Sequence, residues 1–164
     1  MGLVYTFTLL LVVSTVSQAF FQSQRYPHTH NQQALNGLYN QRIQSIQEYR
    51  RPLDIKPVYG VDIAKHLDKI GINHRGQVAT LQDGQKFLVH KGPGFGHNSQ
   101  TVVVDTQRTR MSSKWKPHGS PVNAGSQSVG LGDLVKAGGK DYSYLCNNCI
   151  RGSNRMKERF QNGK

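Results

Sequence analysis

The stretch from Gln77 to His90 constrains the fold more than any other part of the chain. Gln77-Val78-Ala79-Thr80-Leu81 and Lys86-Phe87-Leu88-Val89-His90 are both rich in β-branched and apolar side chains, and Asp83-Gly84 lies between them. Asp-Gly suits the positive backbone angles of a tight hairpin turn, so two antiparallel strands are predicted. Thr101-Val102-Val103-Val104-Asp105 adds a third strand, and its three consecutive valines predict a central position covered on both faces. Elsewhere the periodicity changes. Leu35, Leu38, Tyr39, Ile43, Ile46 and Tyr49 recur at three- and four-residue steps, the period of an amphipathic helix, which Pro52 would end. Ile63, Ala64, Leu67 and Ile70 share a face in a second helix over residues 61–70, stopped by Gly71. Residues 106–128 are rich in Ser, Gly, Pro and basic side chains around the lone Trp115, which reads as an irregular excursion anchored by the indole. Further helices are expected over residues 131–137, ended by Gly138-Gly139, and over residues 147–160. Helices, then strands, then helices argue for an α+β domain, a small antiparallel sheet packed by helices.

The amino terminus carries a different signal. Leu3 to Val16 form an apolar stretch with no charged side chain before Arg25, and it gives way to the small residues of Ser17-Gln18-Ala19. Such a run suits a cleavable signal peptide rather than a membrane span, which needs about 20 predominantly apolar residues. The expected organisation is therefore a signal peptide over residues 1–19, a leader with an amphipathic helix over 20–56, and a basic α+β domain over 57–164. The protein is expected to be secreted and extracellular, with no transmembrane segment after processing. His28 and His30 lie in the Gln-rich leader and read as incidental rather than as metal ligands.

All Lys and Arg lie beyond Ala19, so the processed chain keeps the formal net charge of +12. A positive field of this size speeds encounter with acidic partners and favours non-specific binding to them. Outside a cell those partners are acidic polymers such as glycosaminoglycans, bacterial wall polymers or acidic matrix, whereas nucleic acid is less accessible there. The charge is spread along the chain without a block of five or six like residues, so a solvated basic surface explains it equally well.

Gly92-Pro93-Gly94-Phe95-Gly96 superficially looks like a phosphate-binding loop, but such loops follow a strand and open a helix. Here the sequence leads into the valine strand, so its glycines read as a wide turn. No cofactor is called for. The two cysteines, in Cys146-Asn147-Asn148-Cys149, admit three readings. They can form a disulfide, as secreted proteins often do, although a bridge across two residues closes a very small loop. They can contribute to a zinc site, which wants four ligands, with histidines scattered at 66, 74, 90, 97 and 118. Or Cys149 is a nucleophile whose thiol pKa is lowered at a helix N-terminus capped by Asn147.

Asn147-Asn148-Cys149 opening a helix, preceded by His90 at the end of a strand, resembles the circularly permuted papain-like superfamily, which includes NlpC-type wall hydrolases and lecithin:retinol acyltransferase-like proteins. In permuted members histidine precedes cysteine and sits on the sheet. Ile150-Arg151-Gly152 follows the cysteine where the relatives carry an acidic or aromatic residue. The resemblance implies a cysteine-dependent amidase, peptidase or acyltransferase, with Cys149 as nucleophile and His90 as base, acting on an acyl or amide bond through a thioester. Of the candidates to orient His90, Asp105 would lie roughly 10 Å along the partner strand at about 3.3 Å per residue, so Gln100 or Thr101 is better placed and neither is assigned. The competing reading is a non-enzymatic cationic matrix or host-defence protein that binds polyanions.

Overall fold

The computed structural model describes residues 32–55, 62–95, 99–108 and 111–163. The expected signal segment, most of the leader with His28 and His30, and His97 lie outside the described residues. Helix α1 (Gln32–Tyr39) leads to strand β1 (Ile43–Arg51), followed by α2 (Ile63–Lys69), β2 (His74–Leu81), β3 (Lys86–Lys91), β4 (Thr101–Asp105), β5 (Lys116–Asn123), α3 (Leu131–Gly138) and α4 (Cys149–Asn162). The five strands form one antiparallel sheet in the order β4-β3-β2-β1-β5. This is the α+β architecture expected, and the residues from Leu38 onward form one compact unit.

The hairpin forms as its turn chemistry dictates, with Gly84 at φ 83°. The segment from Leu35 to Tyr49 does not. Instead of one long helix the chain makes α1 and then β1, which lies between β2 and β5. The misleading signal is the three-residue step from Ile43 to Ile46. Opposite β2, Ile43 pairs with Leu81 and Ser45 with Thr80, so Gln44 is an extra residue in a bulge. The bulge brings both isoleucines to the same buried face, and a strand thereby imitates a helical period. With β1 in the sheet, the expected boundary at residue 57 falls inside the domain rather than before it.

Two further expectations are corrected. The valine strand β4 stands at the edge of the sheet, with Val103 buried and Val102 and Val104 only partly so. The stretch 106–128 contains β5, which pairs with the outer side of β1. Its prolines at 117 and 121 hid it, since proline is tolerated in strands mainly at an edge, and an edge is where β5 lies. Trp115 is buried, as the excursion reading required.

The sheet has two distinct faces. On one, α3 and α4 pack over β2, β3 and β4, and Leu134, Met156 and Phe160 join Ala79, Phe87 and Val89 in a buried apolar layer. On the other, Val78 and Leu88 pack under Trp115 with Tyr49, Val104 and Met111 at the margin. Alternation along β2 and β3 assigns Gln77 and Lys91 to the helix face and His74 and His90 to the tryptophan face.

Candidate active site

Helix α4 begins at Cys149, two residues later than the expected start, and its cap is Asn148 rather than Asn147. The Asn148 side chain accepts a hydrogen bond from the Arg151 amide at 3.1 Å and donates to the Tyr144 carbonyl at 3.1 Å. Cys149 is buried at 5 % exposure while Cys146 is exposed, and both are free thiols, so no bridge joins them. The Cys149 sulfur lies 3.8 Å from the carbonyl oxygen of Asn73, the residue immediately before β2. Helix α4 thus carries its first residue to the start of β2. Tyr142 adjoins the same cysteine. Its hydroxyl pKa is raised first by burial and then by the neighbouring Cys149 thiol.

His90 is buried on β3, and its hydrogen-bonding partner is His74. His90 Nδ1 lies 3.1 Å from His74 Nε2, with the rings edge to face at 5.4 Å. The structure therefore does not join Cys149 and His90 as a hydrogen-bonded pair. His90 points to the tryptophan face, and so does its partner His74, the residue that follows directly on Asn73, whose carbonyl meets the Cys149 sulfur. A glycine makes the histidine contact possible. Gly76 is the cross-strand partner of His90, and a Cβ at 76 would come within 2.8 Å of the His90 Cβ. Any side chain there would press on the Cβ of His90 and on the Leu88 side chain, on the face that His74 shares.

Aromatic rings enclose the two imidazoles. Trp115 lies 5.2 Å from His74 and 5.4 Å from His90, and Phe95 lies 5.9 Å and 4.9 Å from them. Phe95 comes from the glycine loop, and its ring occupies the space a side chain at Gly92 would fill. The loop therefore acts through close packing of an aromatic lid rather than through phosphate binding. Burial lowers the pKa of His74 to about 4, with the nearby Arg51 charge adding to the effect. Burial lowers His90 to about 3, reinforced by His74 and then Arg51. Both rings are thus neutral at pH 7, so in their contact one nitrogen donates and the other accepts.

The residues leading to Cys149 are held by a second buried group. Lys91, next to His90 but on the opposite face, is fully buried, and its Nζ donates to the carbonyls of Gly138 and Gly139 at 2.8 and 3.0 Å and to Asn147 Oδ1 at 3.1 Å. Arg155 donates to Gly138 O at 2.8 Å and to Asn147 Oδ1 at 2.5 Å, and Asn147 Nδ2 donates to Asp141 O at 2.6 Å. Two cations thus satisfy the free carbonyls at the end of α3 and fix the segment two residues before the thiol. Thr101 donates to Gly139 O at 2.8 Å, and Gln100 accepts from the Phe95 amide at 3.2 Å. Asp105 accepts from the amides of Gln107 and Arg108 at the far end of β4.

His74 is the residue that sequence reasoning passed over. Its signal was its place at the head of the hairpin, two residues before a glycine that faces His90. Among the described residues no group of three His, Cys, Asp or Glu side chains gathers as a metal site, and no helix is long and apolar enough to cross a membrane. No family model, curated protein or solved structure matches the chain.

Proposed function

We propose that the protein is a secreted cysteine-dependent enzyme acting on an acyl or amide bond, with Cys149 as nucleophile, His74 as its base and His90 as the group that orients the base. The observation that carries this reading is the buried 3.1 Å contact between His74 and His90 at the strand end where the Cys149 sulfur meets Asn73. A nucleophile, a base and a third group that orients the base form the recurring pattern of covalent catalysis. A histidine-bearing sheet preceding a cysteine at a helix start also agrees with a permuted papain-like relationship.

The chemistry follows from the tautomer. If His74 Nε2–H donates to His90 Nδ1, then His74 Nδ1 is left unprotonated as an acceptor. To take the Cys149 proton as the sulfur attacks the carbonyl carbon, it must reach past the start of β2, where that sulfur meets the Asn73 carbonyl. The resulting oxyanion is stabilised by backbone amides at the start of α4, with the Tyr142 hydroxyl beside them. Collapse breaks the C–O or C–N bond, the leaving group takes the proton from His74, and a thioester remains on Cys149. Water or a second acceptor then attacks the thioester with His74 again as base, restoring the thiol. His90 touches no substrate in this scheme and is a positioning residue.

Acylation by 4-nitrophenyl acetate tests the reading. One equivalent of nitrophenolate should be released, and the acetyl group should be found on Cys149 by mass spectrometry. His74→Ala should slow acylation at least a hundredfold, in line with the loss of general-base catalysis. His90→Ala should slow it less, and His90→Asn, which keeps a hydrogen-bonding partner, should recover part of the rate. Acetyl found on the exposed Cys146 instead, or an undiminished rate in His74→Ala, would refute the assignment.

The net charge of +12 favours a second role alongside the first, adhesion to acidic extracellular polymers.

A further inference from the structure

The end of the sheet where β1 and β2 finish carries a cleft of about 290 Å³ lined by Arg50, Arg51, Lys114, Lys116, His118 and Asn73, with Asp68 and two prolines completing it. We propose that this cleft binds an anionic group of the molecule whose carbonyl Cys149 attacks, so that the substrate carries a carboxylate or a phosphate beside its reactive bond. This rests on the reading of Cys149 as nucleophile.

Three observations carry it. Asn73 belongs to both places: it lines the cleft, and its carbonyl oxygen is the 3.8 Å neighbour of the Cys149 sulfur. Arg51 is the cross-strand partner of His74, and its guanidinium lies 5.3 Å from the centre of the Trp115 ring that covers both histidines. The cationic wall is therefore continuous with the imidazole pair. Third, the charges do not cancel. Arg50 pairs with Glu48, and Arg51 and Lys114 share the single carboxylate of Asp54. Asp68 accepts from the Asn73 side chain, and Lys116 adds an exposed positive charge with no carboxylate partner among the described residues. Four cations against three carboxylates leave a net positive cleft. Its field reaches the histidines, since Arg51 is among the causes that lower the pKa of both. A partly buried guanidinium beside exposed lysines suits an anion with two or more oxygens.

Two measurements test this. In the first, Cys149 acylation by 4-nitrophenyl hemisuccinate is compared with acylation by 4-nitrophenyl acetate, each rate divided by that of 2-mercaptoethanol with the same ester. The normalised preference for the anionic ester should be tenfold or more, should shrink with added salt, and should fall about tenfold in Lys114→Ala/Lys116→Ala but not in Lys65→Ala on α2. In the second, inorganic pyrophosphate is titrated calorimetrically into the Cys149→Ala protein, where no acylation can occur. Binding should weaken about tenfold in the same double lysine variant. A charge response with hemisuccinate alone assigns a carboxylate, and one with pyrophosphate alone assigns a phosphate. If the double variant changes neither, the cleft is not an anion site. If neither ester acylates Cys149 while pyrophosphate binding still depends on the two lysines, the nucleophile reading fails and the anion site stands.

Discussion

His74 and His90 sit in surroundings that hold them neutral, and this ties stability to pH. A histidine in the unfolded chain titrates near 6.5, whereas folded His74 titrates at about 4 and His90 at about 3. Between those values and 6.5 the unfolded state binds more protons than the folded state, so stability rises with pH across that window. It is fully present above pH 6.5 and is lost as the pH falls toward 4. At about 1.4 kcal/mol per unit, His74 alone contributes on the order of 3 kcal/mol to the change. Thermal melts should therefore show a Tm that falls steeply from pH 7 to pH 4.5, and His90→Asn should flatten the slope because one of the two titrating rings is gone. A Tm that stays level over that range would contradict the burial of the pair. The same neutrality suits the proposed reaction, since a protonated His74 could not accept the thiol proton.

At the scale of elements, β3 presents adjacent residues to two different tasks, because successive side chains in a strand point to opposite faces. His90 turns toward the histidine pair, and Lys91 turns toward the carbonyls of α3 and the Asn147 side chain. Lys91→Met keeps the bulk of the side chain but leaves the Gly138 carbonyl and Asn147 Oδ1 with Arg155 and the Gly139 carbonyl with Thr101. Hydrogen bonds to a charged group contribute about 1.5–3 kcal/mol, so urea unfolding should report a loss of that size, and acylation of Cys149 should slow because Asn147 is held less firmly. An unchanged unfolding midpoint would mean that Arg155 and Thr101 suffice. The hairpin, α3 and α4 were legible in the sequence because each carries its own local signal: Asp83-Gly84 in the turn, Gly138-Gly139 after α3, and an asparagine before Cys149. The strand β1 was not, because a bulge at Gln44 gave it the spacing of a helix, and β5 was not, because its prolines mask an edge strand. Of the site, the helix-start cysteine and a strand histidine could be read locally. The role proposed for His74 could not, since it depends on a cross-strand contact between residues sixteen apart that only the register fixes.

On the scale of the whole molecule, the positive charge exceeds what the cleft uses, and Lys and Arg outnumber Asp and Glu by 21 to 9. Immobilised heparin should retain the protein at low salt and release it as salt screens the exposed charges. Lys114→Ala/Lys116→Ala should shift elution only slightly, because retention by a diffuse charge is shared among many side chains. Absence of retention at low salt would remove adhesion to acidic polymers from the protein's roles. A small sheet has another hazard wherever protein accumulates, since an outermost strand offers its backbone groups to the next copy. In β5 the residues at 117 and 121 have no amide hydrogen to donate. A second copy laid along that edge would find fewer donors than a regular strand offers, so the prolines that conceal β5 from a reader of the sequence also make it a poorer template for a further strand.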